Sequence, residues 1–241
     1  MFTKKALRIT AATLMLSALL ASCGEKAPDY DYTIDMEPYQ TAISTSDQAY
    51  LKLANKQSPL ETDYAPASLS TIPSALTLYG KEVQMESTAA LAAEALVREL
   101  RACGYEDIAI TSGYRSYAYQ QILFNTYLGN EMAAHPDWTQ AQCEAMVLTY
   151  SARPGESEHQ TGLCMDLISL THVELDESFA QNPAFEWLSA NAHAFGFILR
   201  YPSDKSDVTG YSYEPWHYRF VGVKAATAIY EKGITLEEYL D

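Results

Sequence analysis

The run Ser157-Glu158-His159-Gln160-Thr161-Gly162-Leu163-Cys164-Met165-Asp166-Leu167-Ile168 sets a polar half against an apolar half. Gly162 between them lets the chain turn, and Leu163 to Ile168 then reads as a short strand. That strand carries one carboxylate, Asp166, among Leu163, Met165, Leu167 and Ile168. A buried carboxylate needs a counter-charge, because an unpaired one is expensive. Two partners remain open: a basic residue in a salt bridge, or a metal shared with His159, seven positions earlier.

A second polar cluster lies at Glu214-Pro215-Trp216-His217-Tyr218-Arg219. In a straight strand Glu214 and His217 would point to opposite faces, since their spacing is odd. Pro215 therefore places Glu214 on the loop before the strand. The two clusters together offer two imidazoles, a carboxylate and one spare carboxylate. That inventory fits a catalytic zinc site with three protein ligands and an open position for water. Glu214 could then reach the water while His217 holds the metal. A lone histidine beside a tryptophan is more often a packed core residue, and His135, His172 and His193 are expected to be packed or surface side chains.

Outward from these clusters, helical spacing runs from Glu86 to Gly104, with Ser87 as the expected cap and Leu91, Ala95, Leu96 and Leu100 on the apolar side. Ser116–Leu128 and Thr139–Tyr150 read as further helices. Another starts at Asn182-Pro183 and closes at Gly196, and a last one ends at Gly233. Tyr50–Leu53, Asp107–Thr111 and Phe197–Arg200 read as strands, and Asn55–Pro66 as a loop. No repeat is present. The expected architecture is α+β, a small, mainly antiparallel sheet with flanking helices.

The chain has 241 residues, 48% hydrophobic and 20% charged, enough for a real core. Lys4, Lys5 and Arg8 precede an apolar stretch, Ile9 to Ala21, too short to span a bilayer comfortably. Residues 1–22 are thus an expected export signal. Leu20-Ala21-Ser22-Cys23-Gly24 resembles the lipobox of bacterial lipoproteins, which implies acylation of Cys23 and a membrane anchor outside the cytoplasm. Residues 23–46 are polar, with Pro28 and Pro38, and read as a lipidated flexible tether ahead of a domain at 47–241. Without the leader, 13 Lys and Arg face 31 Asp and Glu, a net charge of −18. Such a surface argues against nucleic acid as a partner and against docking on anionic lipid by charge alone. No protein partner is implied. Cys103, Cys143 and Cys164 lack CxxC spacing and are expected to be buried thiols. Cys164 reads as a small core residue rather than a fourth ligand, which would close the site that hydrolysis needs open.

Three blocks resemble the VanY-type D-alanyl-D-alanine carboxypeptidases and their D,D-dipeptidase relatives, in the family's order. They are Ser112-Gly113-Tyr114-Arg115-Ser116 with Gln120, the Ser-x-His-x-x-Gly-x-x-x-Asp run from Ser157 to Asp166, and Glu214-x-x-His217. Tyr50 to Pro66 resembles the opening of the family's domain, so the likeness spans about residues 48–233. The resemblance implies the hedgehog/VanY-like fold of zinc D,D-peptidases. It implies one Zn2+ held by His159, Asp166 and His217, with Glu214 as catalytic base. It places Arg115 at the developing oxyanion or the substrate carboxylate. Gln120 and Ser157 are implied substrate contacts, although Ser157 could equally cap the turn before His159. The implied substrates are peptidoglycan stem peptides ending in D-Ala-D-Ala. Endopeptidase and D,D-dipeptidase specificities share the fold, and a non-catalytic wall-binding lipoprotein is the rival of another class.

Overall fold

The computed structural model describes residues 30–241. The expected signal, the lipidation site Cys23 and the start of the tether lie outside the described residues. Strands in chain order are β1 (Leu69–Thr71), β2 (Gln84–Glu86), β3 (Ile108–Ser112), β4 (Cys164–Ser169), β5 (Phe197–Leu199) and β6 (His217–Phe220). Helices are α1 (Gln40–Ile43), α2 (Ser87–Ala102), α3 (Tyr117–Ala134), α4 (Gln140–Val147), α5 (Pro183–Asn191), α6 (Ser206–Thr209), α7 (Val223–Lys232) and α8 (Leu236–Leu240). β1 and β2 form a small antiparallel pair, and the other strands form a four-stranded sheet in the order β3-β4-β6-β5. Every pairing in it is antiparallel. The architecture is the α+β arrangement expected.

The central strand β4 is buried at all six residues, so both of its faces are covered. On one side Leu96 and Leu100 of α2 pack with Ile108, Ile110, Leu167 and Phe220 in the main core. On the other edge α7 and α8 close a second cluster through Ile198, Val221, Ile229 and Leu236. α2 is capped by the Glu86 carboxylate, which accepts from the amides of Thr88 at 2.9 Å and Ala89 at 3.1 Å. The expected cap, Ser87, instead accepts from the Ser70 hydroxyl at 2.9 Å. Leu91 faces solvent, and the buried side runs through Ala89, Ala92, Ala93, Leu96 and Leu100. No helix among the described residues is long and apolar enough to cross a membrane.

Four further sequence expectations are corrected. Residues 30–46 are not a free tether: Met36, Tyr39, Ala42 and Ile43 are buried, and the first, second and fourth join the main core. Glu99 of α2, itself fully buried, fastens this segment by accepting from Tyr30 Oη (3.1 Å), Thr33 N (2.8 Å) and Ile34 N (2.9 Å). The domain therefore includes Tyr30 rather than starting at 47. The alternation at Tyr50–Leu53 is not a strand, because Gln48–Leu51 forms a 3-10 turn started by the Asp47 side chain. Cys103 is exposed, whereas Cys143 and Cys164 are buried as expected. The helix from Pro183 stops at Asn191, and a 3-10 turn, Ala192–Phe195, carries the chain to Gly196 at φ +82°.

Candidate metal centre

His159 sits on a buried 3-10 turn, Glu158–Thr161, that closes on Gly162 in the left-handed conformation, φ +69°. A Cβ there would meet the Glu86 amide nitrogen at 2.9 Å, so glycine is needed for space as well as for φ. The ring is oriented by a 2.6 Å contact between Nδ1 and the Gly113 carbonyl. A carbonyl only accepts, so Nδ1 carries a proton and Nε2 is the nitrogen left to face Asp166. Gly113 follows the register shift between Ile110 and Ser112, which turns the end of β3 over the site. There the Arg115 amide donates to the His159 carbonyl at 3.0 Å.

Asp166 and His217 are directly opposed partners of β4 and β6. Asp166 Oδ1 lies 3.0 Å from His217 Nδ1, and Oδ2 lies 3.2 Å from His159 Nε2. All three side chains are buried, and the two imidazoles stand edge-on, centroids 5.1 Å apart. Neither Lys nor Arg pairs with Asp166 among the described residues; its partners are the two histidines. Glu214 occupies the loop before β6, as its proline neighbour suggested, with Oε2 3.6 Å from His217 Nδ1. Its side chain is 22% exposed, so it meets both that nitrogen and the cleft.

Charge in this pocket favours a cation. Burial pushes the Asp166 carboxyl up, but His159 and His217 overcome that and hold it well below the usual range. Burial and Arg115 push His159 down, yet Cys164 and Asp166 carry it up to about 9. His217 rises too, burial being outweighed by Cys164 and Asp166. Burial, reinforced by Asp166, raises Glu214. Two nitrogens and a carboxylate converging on one point, in surroundings that draw in positive charge, suit a divalent ion of the zinc type. Cys164 adds a complication. It shares the face of Asp166, and one ligand atom each of His159, Cys164 and His217 all lie within 4.8 Å of one another. Burial raises this thiol, but the two imidazoles bring it down to about 7.

A cleft of about 580 Å3 opens over these groups and brings Arg115, Gln120 and Ser157 to the same space. The buried Nε of Arg115 has no hydrogen-bond partner, and no carboxylate pairs with the residue among the described residues. Gln120 donates to the Ala152 carbonyl at 2.8 Å and leaves its buried Oε1 unpaired. Ser157 makes no side-chain capping bond. The other histidines stand apart: His135 stacks on Trp138, His193 on Tyr230, and exposed His172 meets Asp176 at 3.1 Å. What the sequence did not disclose is an ionic layer behind the site, made by Glu158, Arg200, Arg219 and Glu237. The available hint was an arginine ending one apolar strand segment and another inside the next, Arg200 and Arg219.

Residues 82–223 match the family model for VanY, D-alanyl-D-alanine carboxypeptidase. The chain belongs to the VanY family. A D-alanyl-D-alanine carboxypeptidase of Enterococcus faecalis is 38% identical over 192 residues, covering 79% of this chain and 65% of that protein. The chain spans between 63% and 67% of the length of three carboxypeptidase relatives and 93% of a fourth, a bifunctional D-Ala-D-Ala dipeptidase and carboxypeptidase of Enterococcus gallinarum. Among solved structures, the LD-carboxypeptidase LdcB is similar with a TM-score of 0.69 and 35% identity, covering 82% of this chain and 97% of that one. A variant of the vancomycin-resistance D,D-pentapeptidase VanY, solved with Zn(II), is similar with a TM-score of 0.66 and 35% identity, covering 80% and 99%. The VanY-like fold expected from the three blocks is thus the fold of its neighbours.

Proposed function

We propose that this protein is a zinc-dependent carboxypeptidase that removes the terminal D-alanine from peptidoglycan stem peptides ending in D-Ala-D-Ala, outside the cytoplasmic membrane. The observation that carries the proposal is the convergence of His159 Nε2, His217 Nδ1 and the Asp166 carboxylate beside Glu214, at the floor of an open cleft. His159, Asp166 and His217 would hold the ion. Bound zinc supplies Lewis-acid polarisation of the scissile carbonyl and a water made acidic, to a pKa of ~7.

Everything else falls to the chain itself. Glu214, with its raised pKa, takes the proton of the attacking water and returns it to the leaving amine of D-alanine. Arg115 brings a permanent, unpaired guanidinium to the same cleft, where it neutralises the developing oxyanion or grips the terminal carboxylate. Ser157 and Gln120 line the wall and contact the peptide, the latter through its unpaired Oε1. A lipid on Cys23 would keep the enzyme where its substrate is.

A second specificity is favoured by the likeness to LdcB, an LD-carboxypeptidase. It would remove D-alanine from a tetrapeptide, at a bond following an L-centre. One experiment separates the two: incubate residues 24–241 with zinc and either pentapeptide or tetrapeptide, and follow products by mass. Loss of one alanine from the pentapeptide, stopped by chelator and restored by zinc, supports the D,D reading. Cleavage of the tetrapeptide alone replaces it with the L,D reading. Two intact peptides in the presence of bound zinc overturn both and favour an endopeptidase.

A further inference from the structure

Behind the metal-facing side of His217, two buried polar atoms lack hydrogen-bond partners and face each other: His217 Nε2 and Glu158 Oε2, 3.6 Å apart. Their side chains are 4% and 0% exposed. The other oxygen of Glu158 is doubly engaged, by Arg200 Nε at 2.8 Å and Arg219 Nη1 at 2.6 Å. Arg219 spends its remaining Nη2 on the carbonyls of Tyr50 (3.0 Å) and Lys52 (2.7 Å). Arg200 forks onto Glu237 of α8, with Nη1 at 2.8 Å and Nη2 at 2.5 Å. Glu158 is therefore gripped on one oxygen by two permanent cations, and its free oxygen has only the imidazole to meet.

We propose that Glu158 is the positioning residue for His217: it accepts the Nε2 proton, which leaves Nδ1 unprotonated and aimed at Asp166 and the metal. The chain Glu237–Arg200–Glu158–His217 thereby ties the C-terminal helix to the catalytic centre. This rests on the proposed function, in which His217 holds zinc through Nδ1.

The reason is tautomeric. A neutral imidazole has one N–H, and the partner of one nitrogen decides which nitrogen is left to ligate. His159 solves the problem with a backbone carbonyl, Gly113, on its Nδ1. Among the described residues His217 Nε2 has no such carbonyl, and the carboxylate that faces it is Glu158. Closing the 3.6 Å gap to ordinary hydrogen-bond range takes a movement of roughly half an ångström. A purely structural Glu158 would need only its first oxygen, and would leave the second orphaned in a dry interior. The guanidiniums of Arg200 and Arg219 on its other oxygen favour Glu158 as a carboxylate, a group that can only accept.

The test uses the full-length protein loaded with zinc. Ring-nitrogen NMR of wild type should place the His217 proton on Nε2, protected from exchange, and the metal-induced shift on Nδ1. Glu158→Gln should weaken zinc roughly 10–100-fold in competition with a chromophoric chelator, while a residue that only braces the fold would lower the melting temperature and leave zinc affinity alone. Wild-type affinity in Glu158→Gln overturns the proposal. So does zinc on Nε2 of His217, and that wild-type measurement decides the matter if the variant does not fold. Failure of wild type to bind zinc at all overturns the proposed function first, and this inference with it.

Discussion

The open front and the enclosed back of one face of the sheet handle buried charge in opposite ways, for His217 and Arg219 stand two apart on β6, opposite Asp166 and Cys164 of β4, and point to the same side. In front, Asp166 faces two imidazoles, groups that gain or lose a proton and yield their lone pairs to a metal. Behind, Glu158 and Glu237 face two guanidiniums that never deprotonate. Both layers balance their charge, so balance does not distinguish a site from a support. Exchangeability does: the imidazoles of the front can gain or lose protons, and with Asp166 and Glu214 they line the cleft, whereas the guanidiniums of the back do neither. A buried ion pair is weak grounds for stability in general, and here the rear layer surrounds Glu158, whose free oxygen lies 3.6 Å from His217 Nε2.

That contrast can be broken at several points. His159→Ala should have the largest effect, removing both stoichiometric zinc by metal analysis and detectable turnover; full zinc occupancy would mean that the front is not the ligand set. Glu214→Ala should lower kcat by about 10^2–10^4-fold with zinc retained, as for loss of a general base. In the wild type the acid limb of kcat should lie above the ordinary glutamate value of about 4.3, because the raised Glu214 must lose its proton to act, and activity therefore disappears as pH falls through that higher value. An acid limb at or below the ordinary value would remove Glu214 from the role.

Arg219→Met addresses the back. It leaves Glu158 with one guanidinium instead of two and should cost about 3–5 kcal/mol of stability in urea unfolding; a loss under about 1 kcal/mol would show that the rear layer does not brace the sheet. The smallest effect is expected from Cys164→Ala. If the sulfur is only a neighbour of the ligands, zinc content and rate should stay within roughly fivefold, about 1 kcal/mol. Marked loss of zinc would make the thiol a ligand and the front a closed site.

The front was legible because its chemistry is local. Asp166 stands in an apolar run, Gly162 marks the turn before it, and Pro215 puts Glu214 off the strand, so two short stretches placed the acid, the imidazoles and the base. The four-stranded sheet was legible for the same reason, but the β1–β2 pair, three residues a strand, was not, and at Tyr50–Leu53 four residues of alternation were outweighed by the Asp47 side chain starting a turn. The back was hidden because nothing beside Arg200 or Arg219 singles out Glu158 and Glu237, 37 to 61 positions away, as their partners. Residues 30–46 were misjudged by composition: their prolines and aspartates outnumber the few side chains that matter, Met36, Tyr39 and Ile43, and nothing local announces that Glu99 waits for their backbone amides.

The docking of that segment has a geometric consequence. Were Cys23 to carry a lipid, the leash would not be the whole polar stretch up to 46 but only residues 24–29, since Tyr30 already belongs to the domain. Six residues reach about 20 Å even when fully extended, at ~3.3–3.6 Å each. An enzyme on so short a leash would patrol a thin shell beside the lipid surface, trimming newly delivered strands as they pass and leaving the older, outer wall beyond its reach.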